Sequence, residues 1–284
     1  MLSEDSLFAA IRDKHELLDS RTSPKIVLVG GSNVVFGTNT PRIEEALERP
    51  TINAGLHARL GLKFMLDDVV DELQSGDVLV VTPEYEQLTG WFYGGRELAA
   101  LLIDVYPEGR KHLDLSQSIV LSQFVPMHAA SKLLHARWTS QGVQARYENP
   151  GIYHRSSFNT HGDVIAHWSE EQRPFSPSAA STPRTPDLLA IHYLRDVHDT
   201  LRKRGVRMIL LPPGLQGTSF DNMRPIIGQL SALLQEEGVP FAADPARYRL
   251  DDALCFDSPY HFTEPGVDQR TTLVIDDLKR LLTE

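Results

Sequence analysis

The chain holds a single cysteine, Cys255, among 284 residues, which excludes an intrachain disulfide framework and a cysteine-built zinc site. Its apolar neighbours Leu254 and Phe256 predict a buried, structural thiol. Basic charge is also short. Lys and Arg number 28 against 38 Asp and Glu, a formal net charge of -10 with no Lys/Arg run and no basic patch interleaved with aromatics, so no nucleic-acid footprint is expected. No apolar run approaches the roughly 18 residues that a membrane-spanning helix needs, and no integral membrane segment is expected. The opening Met1-Leu-Ser-Glu-Asp-Ser-Leu7 lacks the basic start and continuous apolar core of a secretory signal, and a cytoplasmic location is expected. No internal repeat is present. His154, His161 and His167 show no metal-ligand spacing such as His-Glu-x-x-His, so no metal site is expected.

What is present is an alternation of apolar runs with amphipathic stretches, the pattern of βαβ units around a parallel sheet. Hydrophobic residues make up 41% of the chain, enough for a sizeable core. Short runs at Ile26 to Val29, Thr51 to Asn53, Val78 to Val81, Met208 to Leu211 and Pro240 to Ala242 predict five strands buried on both faces. Helices are predicted at Leu2 to Asp19, Leu60 to Leu73, Leu188 to Arg204, Arg224 to Glu237 and Glu264 to Leu282. The expected fold is α/β, a three-layer α/β/α sandwich with a five-stranded parallel flavodoxin-like sheet, in a single domain spanning 1-284. Residues of about 90-186 break this rhythm and are expected to be an insertion, with helices near Glu97 to Val105 and Ser116 to Trp138 and a Pro/Ser-rich passage from Arg173 to Pro186. Within it, Tyr147, Tyr153, His154, Phe158, Asn159, His161 and Trp168 combine apolar faces with polar edges. That mixture suits a sugar-facing wall, or equally a solvated connector anchored by aromatics.

Three short blocks carry chemistry. The first strand ends in Lys25-Ile-Val-Leu-Val-Gly-Gly-Ser32-Asn33, which places a serine hydroxyl at the carboxyl edge of the sheet, where open α/β folds collect ligands. Gly30 and Gly31 permit a turn too tight for side chains, and Ser32 begins the next helical segment with its amide aimed at the site. After the second strand, Asn53-Ala54-Gly55 offers an unobstructed glycine amide. Near the end, Asp257-Ser-Pro-Tyr-His261 brings a carboxylate and an imidazole onto one loop, followed by Thr263 as the N-cap of the last helix. Serine needs a base to become a nucleophile and the base needs an orienting carboxylate, which this set can supply.

In kind and order these blocks resemble the SGNH (GDSL-like) hydrolase superfamily; the resemblance covers the sheet-forming parts and not the insertion. It implies Ser32 as nucleophile, His261 as general base, Asp257 as the acid that orients it, and an oxyanion hole built from the amides of Ser32 and Gly55. Two departures stand out. Three residues, Ser258, Pro259 and Tyr260, separate acid and histidine where the family has two, and the place of the family's third-block asparagine reads Val81-Thr82-Pro83-Glu84-Tyr85-Glu86. A Glu84 anion opposes an oxyanion, so Asn33 or Asn53 is expected to take the asparagine's part, and Glu84 to bind substrate hydroxyls alongside Asn53, Tyr153, His154, Asn159 and Trp168. The resemblance is greatest to branches that handle acyl groups on bacterial exopolysaccharides. It implies a cofactor-free serine esterase acting on an acylated, foremost acetylated, carbohydrate or other small ester, in association with polysaccharide synthesis proteins. An accessory protein with little turnover and an O-acyltransferase are the alternatives.

Overall fold

Ile26–Gly30 (β1) is buried along its whole length, and its side chains alternate between two separate cores. Val27 and Val29 lie in one cluster with Ile52, Leu79, Val81 and Leu210, whereas Ile26 and Leu28 lie in the other with Val78, Val80 and Ile209. A strand whose odd and even residues are both buried must sit in a sheet covered on both faces. In the computed structural model, which describes residues 2, 4–139, 151–179 and 184–283, β1 pairs in parallel with β2 (Thr51–Asn53) and β3 (Val78–Thr82), and β3 pairs with β4 (Arg207–Leu210). The sheet has four strands in the order β2-β1-β3-β4.

Helices cover both faces. On the first lie α1 (Ala10–Ser20), α4 (Leu62–Val70), α8 (Leu188–Lys203) and α9 (Gly217–Glu236), which contribute Ile11, Leu18, Phe64, Leu66, Ile191, Leu194, Phe220 and Leu230 to its core. On the second lie α3 (Thr40–Leu47) and α10 (Glu264–Thr283), with Ile43, Val274, Ile275 and Leu278. The short α2 (Ser32–Val35) leaves the end of β1 directly. Among the described residues no helix is long and apolar enough to cross a membrane.

The fifth expected strand does not form. Residues 240–242 run beside β4 and give it one ladder bond, Ala242 N–H to Leu210 O at 2.8 Å, because Pro240 has no N–H to donate and the chain turns away after it. A second, two-stranded pair, β5 (Leu215–Gln216) with β6 (Arg249–Leu250), forms instead. Between β3 and β4 the chain builds α5 (Arg96–Asp104), α6 (Leu115–Ser122) and α7 (Val125–Thr139), so the helix expected from Ser116 to Trp138 is two helices. Tyr147 lies outside the described residues.

Candidate active site

The Gly30-Gly31 turn is dictated by what surrounds it. A Cβ on Gly30 would collide with Thr82 O and Val34 Cγ2, and one on Gly31 would stand 2.5 Å from Glu84 Oε1 and 2.8 Å from Ala58 Cβ. The turn thus lets the loop after β3 press its carboxyl against the start of α2. There the Ser32 hydroxyl donates to Glu84 Oε1 at 3.0 Å, and the Asn33 N–H donates to the same oxygen at 3.0 Å. Glu84 is buried. Burial, and then the negative charge of Glu86, push its carboxyl up to about 7, against the pull of Asn33, Ser32 and Arg270.

Arg270 went unnoticed in the sequence. Its guanidinium, buried inside α10, donates to the Asn33 carbonyl, and it threads past Gly37 and Gly214, where added Cβ atoms would strike it. Burial lowers its pKa to about 10, so it stays charged at neutral pH and supports the serine turn from beneath. The signal was an arginine on the apolar stripe of the last helix, between Val267 and Val274.

The acid–base loop arrives from the other side. His261 Nδ1 lies 2.7 Å from Asp257 Oδ1 despite the three intervening residues, which fixes the Nδ1–H tautomer and leaves Nε2 as the basic nitrogen. The imidazole stacks on Phe36, with ring centroids 4.2 Å apart at 15°, and the Phe36 N–H donates to the Ser32 carbonyl at 2.8 Å. His261 therefore stacks on the residue whose N–H closes the helical turn that Ser32 begins. Tyr260 anchors the loop by donating to Glu86 Oε2 at 2.7 Å while accepting the Tyr85 N–H at 3.3 Å. Burial raises the Asp257 carboxyl, but the His261 hydrogen bond and charge, the Tyr153 hydroxyl and Arg173 outweigh it, and its pKa falls below the usual carboxylate value. Among the described residues Ser32 makes no hydrogen bond to His261; its hydroxyl is turned to Glu84.

Several expected ligands have other duties. The Gly55 N–H donates to Asn53 Oδ1 at 3.0 Å and is not an open oxyanion donor. Asn33 sends its side-chain amide to Thr82 O at 3.1 Å and its backbone N–H to Glu84, whereas the Ser32 amide stands at the first helical position, where a helix leaves its N–H without an intrahelical acceptor. Asn53 is wholly buried and ties Val34 O, Thr38 and Asp163 together, so it holds the turn and cannot meet a substrate. Glu84 is likewise occupied and buried. In the insertion, His154 accepts the Ser156 N–H, and Asn159 accepts the N–H groups of His161 and Asp163; both shape local turns. Trp168 packs beside Phe175 and Leu254 against Cys255, Phe262 and Val267, behind the loop. Tyr153 alone of this set reaches the acid–base pair, donating to Asp257 Oδ2 at 2.6 Å. His167, not singled out as a ligand, packs on the Phe36 ring and bonds Phe262 O at 2.9 Å, and burial lowers its pKa to about 4. Among the described residues no group of three His, Cys, Asp or Glu converges as a metal site. Comparison with protein-family models, with curated proteins and with solved structures gives no match.

Proposed function

We propose that the chain is an SGNH-type serine ester hydrolase in which Ser32 is the nucleophile, His261 the base and Asp257 its orienting acid. The observation that carries this reading is the 2.7 Å Asp257–His261 hydrogen bond, made by an imidazole stacked on Phe36, whose own N–H closes the helical turn that Ser32 begins. A carboxylate holding Nδ1–H presents Nε2 as the proton acceptor a serine needs. In the reaction the Ser32 hydroxyl turns from Glu84 to Nε2, loses its proton as Oγ bonds the acyl carbon, and the imidazolium then protonates the leaving alcohol. Water repeats the sequence on the acyl-serine, releasing the acid. The Ser32 amide at the start of α2 is the first oxyanion donor; the Asn33 amide becomes a second when Glu84 withdraws from it. The substrate class we propose is an O-acylated, foremost acetylated, carbohydrate, with the insertion contributing to its selection.

A second reading, an accessory protein of a polysaccharide synthesis system with little turnover, is favoured by one specific feature. Glu84 occupies both the Ser32 hydroxyl and the Asn33 amide, and Asn53 occupies Gly55. Labelling by a fluorophosphonate probe, with acetate release from acetylated sugars, tests between them. Labelling and release that both vanish in Ser32→Ala support the hydrolase. No labelling of the folded wild-type chain between pH 6 and 9 leaves the accessory reading. Release of the acyl group onto an added sugar rather than to water identifies an O-acyltransferase.

A further inference from the structure

The acid of a serine triad works only when one carboxylate oxygen faces the imidazole and the other is satisfied without drawing the group away. In Asp257 both oxygens are occupied: Oδ1 by His261 Nδ1–H at 2.7 Å, and Oδ2 by the Tyr153 hydroxyl at 2.6 Å. The phenol oxygen is also 3.4 Å from His261 Nδ1. Since that nitrogen's proton is already directed to Asp257, the phenol's one proton goes to Oδ2. Burial and the Asp257 charge raise the Tyr153 pKa, so the hydroxyl stays protonated and remains a donor.

Tyr153 comes from the insertion, not from the sheet, and its segment is strapped to the amino-terminal part of the chain. Arg155 forms a two-bond fork with Asp13 of α1, Nε to Oδ2 at 2.7 Å and Nη2 to Oδ1 at 2.5 Å. The Arg155 N–H donates to Asp5 O at 2.9 Å, and His154 bridges Ser6 in antiparallel fashion. Ile152, just before Tyr153, is buried, and the phenol ring rests against Phe36 at 5.3 Å. A side chain fixed on its two flanks and on one face of its ring has little freedom left to lose on making its hydrogen bond.

We propose that Tyr153 is a positioning residue for the reaction inferred above, locking Asp257 onto His261, and that the Asp13–Arg155 fork holds it there. The inference rests on the hydrolase reading and adds to it that the insertion supplies part of the acid–base machinery. It also explains how an acid at a four-residue spacing is aimed, since its second oxygen is pinned from outside its own loop. Among the described residues, the titratable and charged groups facing Asp257 are His261 on its own loop, and Tyr153, His167 and Arg173 from the insertion. Of these, Tyr153 and His261 hydrogen-bond it.

Tyr153→Phe keeps the ring against Phe36 and deletes the one donor. The expected result is a kcat lowered roughly tenfold, the fold-change for loss of one hydrogen bond to a charged group, with little change in KM. The acid limb of the pH–rate profile should move to higher pH, because the carboxylate loses a donor that favours its charged form. The far-downfield proton resonance of His261 Nδ1–H should shift and broaden in the free protein. Arg155→Met, which touches no group of the proposed chemistry, should shift all three in the same direction by less. A Phe variant with wild-type kcat, acid limb and resonance overturns the proposal. So does one with raised KM and unchanged kcat, which would place Tyr153 on the substrate. The resonance needs no turnover: if the wild-type chain hydrolyses no ester, the hydrolase reading fails, while the spectra of Tyr153→Phe still decide whether this hydroxyl orders the pair.

Discussion

One carboxyl lies on the serine turn, another on the acid–base loop, and they are treated in opposite ways. Glu84 is wholly buried beside a second acid, Glu86, and its pKa is pushed up to about 7. Asp257 keeps partial contact with solvent, receives an imidazole N–H and a phenol hydroxyl, faces Arg173, and lies below the usual carboxylate range. The difference teaches that hydrogen-bond donors alone do not set a carboxyl's charge, because Glu84 has two donors as well. What separates them is the desolvation each suffers and the sign of the nearest neighbour. Asp257 is thus suited to hold a cationic imidazole, and Glu84 to exchange a proton near neutrality.

The largest effect expected from this contrast is on turnover. Asp257→Asn should lower kcat by roughly 10⁴-fold, because the amide presents the wrong group to Nδ1 and no longer stabilises the imidazolium. Glu84→Gln should leave the Asp257–His261 pair in place, and ester hydrolysis within tenfold of wild type on the order of the loss of one hydrogen bond. Steady-state rates on p-nitrophenyl acetate check both. The reverse ranking, with Glu84→Gln the dead variant, would make Glu84 the base for Ser32.

Stability separates the pair next. The folded-state pKa of Glu84 is raised from 4.5 to about 7, so between those values the native chain binds more protons than the unfolded one. Stability from this group is then complete below about 4.5 and declines as pH rises through about 7. Over that span the loss is on the order of 3 kcal/mol at 1.36 kcal/mol per pKa unit. Asp257, with a lowered pKa, acts in the other direction: its contribution is present above the unfolded value and vanishes as pH falls through the folded one. Chemical denaturation of wild type and Glu84→Gln at pH 5 and pH 8 isolates the first term. The variant should gain on the wild type as pH rises, and a constant difference between the two proteins would mean that Glu84 is not held up as described.

Much of this was legible in the chain. Alternation of buried strands with amphipathic helices made the layered α/β fold legible, because burial on both faces writes itself as continuous apolar runs. The proximity of Asp257 and His261 was legible because they lie on one loop. Pro240 showed where that legibility ends: its apolar neighbourhood reads as a strand, yet its missing N–H prevents one. The hydrogen bonds of Asn53 and Gly55 are hidden in the sequence for a different reason. A buried Asn that ties four groups together looks in sequence like an Asn that awaits a ligand, since only the fold reveals Asp163 and Thr38 beside it. Tyr153 was picked out for its polar edge, but its partner lies 104 residues away, a contact no local pattern encodes.

A third test presses on the fit between the two loops at the serine turn. Gly31→Ala places a methyl 2.5 Å from Glu84 Oε1 and 2.8 Å from Ala58 Cβ, so either Glu84 withdraws from Ser32 or the loop shifts. The expected cost is about 2 kcal/mol of stability, typical of an overpacked core. Combining it with Glu84→Ala should recover part of that loss, because the obstructing carboxyl is gone; a double variant no more stable than Gly31→Ala would assign the strain to Ala58 instead.

The smallest effect separates the parts of the insertion that reach the acid–base pair from the parts that only shape it. His154 adjoins Tyr153 in sequence, yet its ring Nδ1 accepts the Ser156 N–H at 3.2 Å and bonds the Ser156 hydroxyl at 2.9 Å, as a cap on a single turn spanning Arg155–Ser157. Removing such a cap costs about 1 kcal/mol at most when the turn is exposed. His154→Ala should therefore lower the thermal midpoint slightly and change hydrolysis of p-nitrophenyl acetate and of an acetylated sugar by the same small factor. A residue that bound a sugar hydroxyl would spare the small ester and weaken the glycan, because remote contacts with a large substrate contribute to its transition state and not to that of the small one. A selective loss on the glycan in His154→Ala would move His154 from the scaffold of Tyr153 into the substrate surface, and would extend the functional part of the insertion beyond the single phenol that reaches Asp257.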